Sequence, residues 1–363
     1  MTGQRVAIVH DYLTQRGGAE RVVLSMLRAF PGAQVHTSLY DDDSTFPEFR
    51  AADIQTLALD RVGPLRRAHR LAFPLLAPAF QRHRVDADVA ICSSSGWAHG
   101  VRAAGKKMVY CHAPARWLYQ TDRYLAGHGA ATRGVTHALR RPLLRWDLRA
   151  ARSADLYVVN SRAVQQQVRA VYGFDAEVVP PPPAIDHSGP RSSIGGIVPG
   201  FFLCVARLLP YKNVGAVVAA FSRLPDLRLV IVGTGPQELE LRRLAGANVH
   251  FCGGVQDDEI RWLYANCRAA VAASYEDFGL TPLEAAVFGK PTAALRYGGF
   301  LDTIVDGETG VFFNRPEPSE IASAVRRIDS AELSPEGLQT HAARFGEDRF
   351  ARRITELAEA LVA

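Results

Sequence analysis

The chain has 363 residues, which is long for a single hydrophobic core and sufficient for two domains. Its composition, 48% hydrophobic and 22% charged, excludes a disordered chain, and the absence of any run of 18 apolar residues argues against a membrane-spanning helix. The net charge of +5 is uneven: residues 1–183 carry 24 Lys and Arg against 15 Asp and Glu (+9), and the remainder carries 18 against 22 (−4). This asymmetry predicts that one half faces an anionic partner.

The first predicted strand and the cysteines bear on the cellular location of the protein. The apolar stretch from Val6 to Val9 is short and predicts a strand rather than a signal peptide. The five cysteines are odd in number and widely spaced, and they include no C-x-x-C pair. This pattern argues against a disulfide framework or a zinc knuckle, and it predicts a cytoplasmic protein.

Short β-rich runs alternate with helical stretches along the whole chain, which predicts βαβ units and parallel sheets. In the first half the predicted strands are RVAIVH, DVAICS, KMVYCH and DLYVVNS, and the helix AERVVLSMLRAF closes at Pro31-Gly32. In the second half they are FFLCVAR, LRLVIVG, VHFCG, AAVAAS and PTAAL. We therefore expect an α/β protein of two Rossmann-like domains whose sheets face a central cleft, where ligands bind in such folds.

A proline-rich segment, PPPPAIDHSGPRSSIGG at residues 180–196, separates the two halves and predicts a semi-rigid, then flexible, connector. The expected domains are residues 1–180 and 197–345, joined by a linker at 181–196. A last helix, residues 346–363, follows all the strands and is expected to pack back across the domain junction.

Two candidate positions lie in the first domain. Gly17 and Gly18 follow the first strand and open a helix, where they could let the backbone approach a ligand or simply form a turn. The stretch matches neither G-x-G-x-x-G nor a P-loop. His112 follows the strand KMVYC, and at this strand end it could be a functional group or an ordinary structural histidine.

The second domain offers paired cations and paired carboxylates. Arg207 and Lys212 follow the strand FFLCVA, where they could stabilise an anion or be two surface cations. Glu276 and Glu284 follow the strand AAVAAS, at the edge of the sheet where carboxylates could hold a diol. Alternatively, Thr281 and Glu284 form a capping box that starts a helix, with Pro282 in its first turn.

Taken together, these stretches resemble the retaining glycosyltransferases of family four, which have the GT-B fold. The resemblance rests on Glu276, seven intervening residues and Glu284, with Phe278-Gly279 between them. Other stretches occur in the family's order, namely GGAE at 17–20, His112 in CHAPARWLY, VARLLPYKN, Gly233-Thr234-Gly235 and GGFLDTIVDGETG. Asp302 departs from the family, since many relatives have glutamate there, and this leaves the role of that loop open.

The resemblance implies a role for each candidate residue. It implies that Arg207 and Lys212 bind the donor diphosphate, Glu276 binds hydroxyls of the transferred sugar, and His112 lies near the sugar's primary hydroxyl. These four are the implied catalytic residues. The implied donor-binding residues, with Glu284 at the ribose and Val255 near the base, are Gly17, Gly18, Gly233, Gly235, Val255, Phe278, Gly279, Leu280, Thr281 and Glu284.

The resemblance further implies transfer of a hexose with retention of the α configuration, by front-side displacement through an oxocarbenium-like state. The string CHAPARWLYQTDRYL is similar to members that use GDP-mannose in surface polysaccharide assembly, so GDP-mannose is the expected donor and no cofactor is expected. Asp41, Asp42 and Asp43 form the one tempting cation site, but a solvated turn is the expected role, and we expect metal independence.

Two Arg-rich stretches bear on the acceptor. They run from Arg61 to Arg84 and from Arg133 to Arg152, with Leu, Phe and Trp interleaved. They could lie on an anionic membrane surface or be solvated helix faces. No nucleic-acid motif is present. Membrane docking would imply a saccharide or lipid-linked acceptor at the inner face of the cell membrane.

Rival functions remain open on the sequence alone. They are a UDP-sugar-dependent glucosyl or GlcNAc transferase of the same fold, a sugar-nucleotide epimerase, a phosphorylase, and a non-catalytic nucleotide-sugar-binding protein. A hydrolase could also use two carboxylates, but it would have no need of Arg207 and Lys212 beside the sugar.

Overall fold

The computed structural model describes residues 4–67, 72–120 and 130–363, without the side chains of residues 67, 130–133 and 135–138. The chain divides into two compact units. The first unit is Met1–Pro182 together with Glu347–Ala363, and the second is Pro183–Gly346. The final helix therefore belongs to the first unit, although it follows the second in sequence.

The first unit is built on a parallel sheet. Within the described residues its strands are β1 (Val6–His10), β2 (Gln34–Thr37), β3 (Ile54–Thr56), β4 (Arg84–Val85), β5 (Val89–Ser94), β6 (Arg102–Ala103), β7 (Lys106–Cys111), β8 (Leu156–Val159) and β9 (Glu177–Val178). Seven of them form one sheet in the order β3-β2-β1-β5-β7-β8-β9, and β4 pairs with β6 separately. The carboxyl ends of β1, β5 and β7 consequently lie side by side, with His10 paired to Ser93.

Helices cover both faces of this sheet. They are α1 (Gly18–Ala29), α2 (Gly63–Arg67), α3 (Phe73–Arg82), α4 (Arg116–Tyr119), α5 (Ala130–Arg152), α6 (Arg162–Tyr172) and, at the end of the chain, α14 (Glu347–Ala360). Successive strand residues point to opposite faces. Val9 thus packs in a cluster with Phe80 of α3. Ile8 packs on the other side with Phe350 and Ile354 of α14.

The second unit contains a six-stranded parallel sheet. Its strands are β10 (Phe201–Val205), β11 (Leu229–Val232), β12 (Val249–Gly253), β13 (Cys267–Ala272), β14 (Thr292–Leu295) and β15 (Gly310–Phe313), in the order β12-β11-β10-β13-β14-β15. Its helices are α7 (Val214–Phe221), α8 (Glu238–Leu244), α9 (Asp257–Asn266), α10 (Thr281–Val287), α11 (Phe300–Thr303), α12 (Pro318–Asp329) and α13 (Pro335–Ala343). The central strands β10 and β13 are neighbours, so the loops that follow them leave the sheet at the same edge.

The segment predicted as a linker is part of the second unit. Pro183 begins that unit, and Ile185 is buried in a cluster with Phe201 and Leu203 of β10. The main chain of Asp186 also accepts a hydrogen bond from the Arg261 side chain at 3.3 Å. The beginning of the predicted linker, residues 181–196, therefore packs on the core of the second unit through Ile185.

All nine strands predicted from the sequence are present. Helix α1 ends at Ala29, just before Pro31, and Gly32 has the left-handed φ of 81° that lets the chain turn there. Among the described residues, the structure contains no helix with both the length and the apolar character that crossing a bilayer requires.

Candidate functional site

The candidate residues of the second unit follow neighbouring strands. Arg207 lies two residues after β10, and Glu276 lies four residues after β13. Because β10 and β13 run parallel and pair directly, both loops emerge at the carboxyl edge of the sheet. The main-chain N–H of Tyr275 donates a 3.2 Å hydrogen bond to the carbonyl of Tyr211, which joins the two loops.

Lys212 and Glu276 form an ion pair at this edge. Lys212 ends a short 3-10 turn, Pro210–Lys212, and its Nζ donates to Oε1 of Glu276. The two side chains are only 13% and 20% exposed, so the pair is shielded from bulk water. Arg207 is tied to the same turn, because its guanidinium donates a 3.1 Å hydrogen bond to the hydroxyl of Tyr211. The structure thus gathers three of the predicted site residues around one turn.

The glycine-rich turn at 233–235 supports the Arg207 loop. A Cβ on Gly233 would lie 2.0 Å from the carbonyl oxygen of Ala206, and the φ of Gly233 is 130°, so no other residue fits there. The N–H of Leu208 donates a 2.9 Å hydrogen bond to the carbonyl of Thr234. Gly233 and Gly235 therefore pack directly under the backbone on either side of Arg207.

Glu284 lies on α10, and its carboxylate points into the unit rather than to the helix end. Helix α10 begins at Thr281, and the residue that precedes it, Leu280, makes no side-chain cap. The alternative of a Thr281–Glu284 capping box is therefore wrong. The Glu284 side chain is instead buried and accepts a 2.8 Å hydrogen bond from the hydroxyl of Tyr264.

Tyr264 is a residue of the candidate site that the sequence analysis missed. Its side chain is fully buried, and burial, together with the negative charge of Glu284, raises the pKa of Tyr264 well above its usual value. The phenol therefore remains a hydrogen-bond donor to the carboxylate at any physiological pH. In the sequence Tyr264 occupies an ordinary core-facing position of the helix DDEIRWLYAN, so the sequence pattern does not indicate its contact with Glu284.

The other predicted donor residues of this unit lie on the connections around this edge. Phe278 is buried, so its side chain serves the core and only its backbone could meet a ligand. Gly279 has a φ of 84°, and Leu280 and Thr281 are partly exposed. The N–H of Gly299, in the GGFLDT stretch, donates a 3.1 Å hydrogen bond to the carbonyl of Glu276. The half-buried Val255 lies between β12 and α9.

His112 and Gly17 belong to the first unit and meet the same set of buried polar groups. His112 follows β7, and its Nε2 lies 2.8 Å from the hydroxyl of Ser93. Burial, followed by the positive charges of His10 and Arg116, lowers the pKa of His112 to about 3, so the imidazole is neutral near pH 7. Gly17 precedes α1, which begins at Gly18, and Gly17 packs against the carboxylate of Glu20.

The acidic run of the first unit has a cationic partner within the protein. The carboxylates of Asp41, Asp42 and Asp43 lie within 4.8 Å of one another. Arg50 contacts two of them, at 3.5 Å from Asp42 and 3.1 Å from Asp43. All these side chains are at or near the surface, as expected for a solvated turn.

Comparison with known proteins assigns the chain to a family. The family model of Glycosyltransferase Family 4 matches residues 16–188, and that of Glycosyl transferases group 1 matches residues 198–347. The two matches follow one another and leave only short segments of the chain uncovered. The chain belongs to the family 4, group 1 glycosyltransferases.

Curated glycosyltransferases match parts of the chain. The D-rhamnosyltransferase WbpZ of Pseudomonas aeruginosa is 33% identical over 174 residues, which is 46% of this chain and 45% of the relative. A GDP-mannose-dependent alpha-(1-6)-phosphatidylinositol monomannoside mannosyltransferase of Mycolicibacterium smegmatis is 28% identical over 204 residues, 49% of this chain and 53% of the relative. The chain thus spans about half the length of these relatives.

The fold is GT-B. The crystal structure of Anabaena Alr3699/HepE in complex with UDP-glucose aligns with a TM-score of 0.74 over 98% of this chain and 99% of the other, at 19% identity. At this low sequence identity, the similarity applies to the fold alone. The two parallel sheets described above are the Rossmann-like halves of that fold.

Proposed function

We propose that this family 4 protein transfers a hexose from a nucleotide-diphosphate sugar, with retention of the α configuration. The observation that carries the proposal is the shielded Lys212–Glu276 ion pair beside Arg207. A carboxylate that binds hydroxyls and two cations that bind a diphosphate are the groups that a sugar nucleotide requires, and here they come together on two neighbouring loops.

Each group has a distinct task in the transfer. Arg207 and Lys212 stabilise the negative charge that builds on the leaving nucleotide diphosphate as the glycosidic bond breaks. Glu276 accepts hydrogen bonds from hydroxyls of the transferred sugar. Glu284 binds the ribose diol, and its Tyr264 partner fixes the direction of the carboxylate.

The proposed chemistry needs no separate nucleophile from the protein. The acceptor hydroxyl attacks on the face from which the diphosphate departs, and a leaving phosphate oxygen takes the acceptor proton. His112 contributes a hydrogen bond to a sugar hydroxyl. We propose that the reaction is independent of a metal ion, because Arg207 and Lys212 provide positive charge at the diphosphate position.

GDP-mannose is the donor that we propose. The resemblance of the string CHAPARWLYQTDRYL to GDP-mannose users supports it, and so does the similarity to the mannosyltransferase of Mycolicibacterium smegmatis. A UDP-sugar is the alternative, favoured by the fold shared with a protein that binds UDP-glucose.

A ligand panel tests the proposal and separates the two donors. Thermal stability and nucleotide release are measured with GDP-mannose, UDP-glucose, UDP-GlcNAc, ADP-glucose and a dTDP-sugar, with and without EDTA. We expect GDP-mannose to stabilise the protein most and EDTA to change nothing. Stabilisation by UDP-sugars alone would show that the donor is a UDP-sugar and not GDP-mannose. No response to any sugar nucleotide would refute the proposed glycosyl transfer.

We further propose that α5 binds an anionic membrane surface and so brings the enzyme to a lipid-linked acceptor on the inner face of the cell membrane. Arg141, Arg145, Arg149 and Arg152 are all exposed, and their spacing places them on one face of the helix. The opposite face buries Leu143 and Trp146 in the core, so the arginine face is held outward. In the other Arg-rich stretch, residues 68–71 lie outside the described residues, whereas Arg61 and Arg84 are exposed on separate elements.

A further inference from the structure

A chain of buried polar side chains leads from α1 to His112 within the first unit. Oε1 of Glu20 lies 3.7 Å from Nε2 of His10, and both side chains are almost fully buried. Nδ1 of His10 lies 3.1 Å from the carbonyl oxygen and 3.0 Å from the hydroxyl of Ser93. The same hydroxyl lies 2.8 Å from Nε2 of His112. Four groups on α1, β1, β5 and the end of β7 are thus connected in series.

The position of His10 fixes which of its ring nitrogens must carry a proton. The carbonyl of Ser93 can only accept a hydrogen bond, so Nδ1 of His10 must carry a proton. On the other side of the ring, the carboxylate of Glu20 lies 3.7 Å from Nε2. Burial lowers the pKa of His10, but its interactions with Glu20, the charge of Asp11 and the Ser93 carbonyl outweigh it, and the pKa is raised. The Nδ1 proton is required whatever the charge of the ring, because its acceptor is a carbonyl.

The Nδ1 proton of His10 sets the direction of the next hydrogen bond. Because Nδ1 of His10 already carries a proton, the hydroxyl of Ser93 cannot donate to it. The Ser93 hydroxyl hydrogen is then directed to Nε2 of His112, which must accept. Since His112 is neutral, its single proton lies on Nδ1.

We propose that Ser93, whose hydroxyl accepts from the Nδ1–H group of His10, is a positioning residue that holds His112 in the Nδ1–H tautomer. In this tautomer His112 offers a hydrogen-bond donor to a hydroxyl of the bound sugar. The sugar contact rests on the proposed function, whereas the tautomer is a property of the ligand-free protein.

The charged groups around the chain are consistent with this assignment. Asp11, which follows His10 directly after β1, accepts hydrogen bonds from the N–H groups of Ser95 at 2.7 Å and Ala98 at 2.6 Å. Gln15 donates to Oε1 of Glu20 at 3.0 Å and holds the carboxylate in place. The charges of His10 and Arg116 both oppose a positive charge on His112.

The same chain explains Gly17, which the sequence analysis assigned to ligand binding. A Cβ on residue 17 would lie 2.6 Å from Oε2 of Glu20, so a larger residue would displace the carboxylate. The first glycine of the GGAE stretch therefore makes room for the glutamate that follows three residues later.

The tautomer can be read directly by ¹⁵N nuclear magnetic resonance of the histidine rings in the full-length protein. In the wild type we expect His112 to be protonated on Nδ1 and His10 to carry a proton on Nδ1 at pH 7. Ser93→Ala removes the hydroxyl link without changing a charge, and it is expected to shift His112 toward the Nε2–H tautomer. Glu20→Gln removes the charge beside Nε2 of His10 but keeps the Ser93 carbonyl that holds the Nδ1 proton, so it should leave the His112 tautomer unchanged. Glu48→Gln, a carboxylate that contacts Arg21 of α1 at 3.8 Å, is the charge-matched control and should leave the ring signals unchanged.

Kinetics provide the second readout. With the donor identified by the ligand panel, kcat of Ser93→Ala should fall about five- to tenfold, with a smaller change in KM. A wild-type His112 protonated on Nε2, or a His112 signal unchanged in Ser93→Ala, would overturn the proposal whatever the activity. If no sugar nucleotide is turned over, the proposed function fails while the ring signals still decide the tautomer.

Discussion

The hydroxyl of Tyr264 donates a 2.8 Å hydrogen bond to Oε2 of Glu284, and both side chains are buried in the second unit. A buried carboxylate without such a donor would lose its fixed direction and part of its solvation. The contact therefore links the core helix α9 to the residue that we assign to the ribose. Glu284 is therefore positioned by a residue from the interior of the second unit.

Replacing Tyr264 by Phe tests this link. We expect the variant to bind the nucleotide about five- to tenfold more weakly and to lose about 1–3 kcal/mol of unfolding free energy, because Glu284 loses a buried donor. Calorimetric titration with GDP and chemical denaturation measure the two effects. Tyr110→Phe is the matched control, since the hydroxyl of Tyr110 donates to the carbonyl of Val179 at 2.8 Å in the first unit. It should cost stability but leave nucleotide affinity intact, and an equal loss of affinity in both variants would contradict the assignment.

Replacing Lys212 by Met removes the cation that pairs with Glu276. We expect kcat to fall about 10²- to 10³-fold, because one of two charges that stabilise the leaving diphosphate is lost in a shielded site. Nucleotide release in the presence of donor and acceptor measures the effect, with circular dichroism to verify the fold. Arg326→Met removes an exposed cation that pairs with Asp226 at 2.6 Å on the same unit, and it should leave turnover unchanged. A folded Lys212→Met variant with wild-type turnover would remove Lys212 from the mechanism.

The backbone of the fold was predictable from the sequence, but the polar contacts were not. Buried strands such as β1 and β10 are runs of apolar residues that can be recognised in the sequence. The two-residue strands β4, β6 and β9 are too short to show such a run. Glu284 follows Thr281 at the spacing of a capping box, but its carboxylate accepts a hydrogen bond from Tyr264, which is 20 residues away in the sequence. His10 and Ser93 lie 83 residues apart and meet only because β1 and β5 pair. Such contacts depend on register between distant strands, which local patterns do not encode.

Replacing Gly233 by Ala should displace the loop that carries Arg207. The added Cβ would lie 2.0 Å from the carbonyl of Ala206, and the backbone conformation is unfavourable for any residue but glycine. We expect a loss of more than about 1 kcal/mol of unfolding free energy and weaker nucleotide binding. Gly254→Ala is the control, because no atom lies within 4 Å of its added Cβ. Wild-type stability in Gly233→Ala would show that the glycine-rich turn at 233–235 does not contact the loop that carries Arg207.

The His36–His83 pair predicts a loss of stability in mild acid. Nε2 of His83 lies 3.0 Å from Nδ1 of His36. Burial, and then the charge of His83, lowers the pKa of His36 to about 4, and burial lowers the pKa of His83 as well. Both groups bind protons more readily in the unfolded chain, so their stabilising contribution is complete above pH 6.5 and is lost as the pH falls toward 4.

Denaturation of the wild type and His83→Gln at pH 7.5 and pH 5 measures this effect. The wild type should lose more unfolding free energy between the two pH values than the variant, by about 1–2 kcal/mol. Glutamine can still hydrogen-bond to His36 but does not titrate. Equal losses in the two proteins would show that His83 does not contribute to the loss of stability in acid.

The arginine face of α5 predicts membrane binding that depends on charge. Arg141, Arg145 and Arg149 are exposed on one side of the helix, and each arginine near an anionic surface contributes about 1 kcal/mol. Reversing all three to Glu should therefore weaken binding to vesicles that contain phosphatidylglycerol at least tenfold, as measured by co-sedimentation at low and high salt.

The contrast with a second exposed pair makes this test specific. Arg349 and Arg352 of α14 are also exposed, so reversing both to Glu changes the net charge without touching α5. If binding depended only on the total charge of the protein, these two changes would weaken it by two-thirds as much, in free energy, as the three on α5. If α5 is the contact, they should have little effect, since charges away from the surface are screened within about 8 Å at physiological salt. Turnover of a water-soluble acceptor should be the same in all three proteins, because neither face contributes to the donor site.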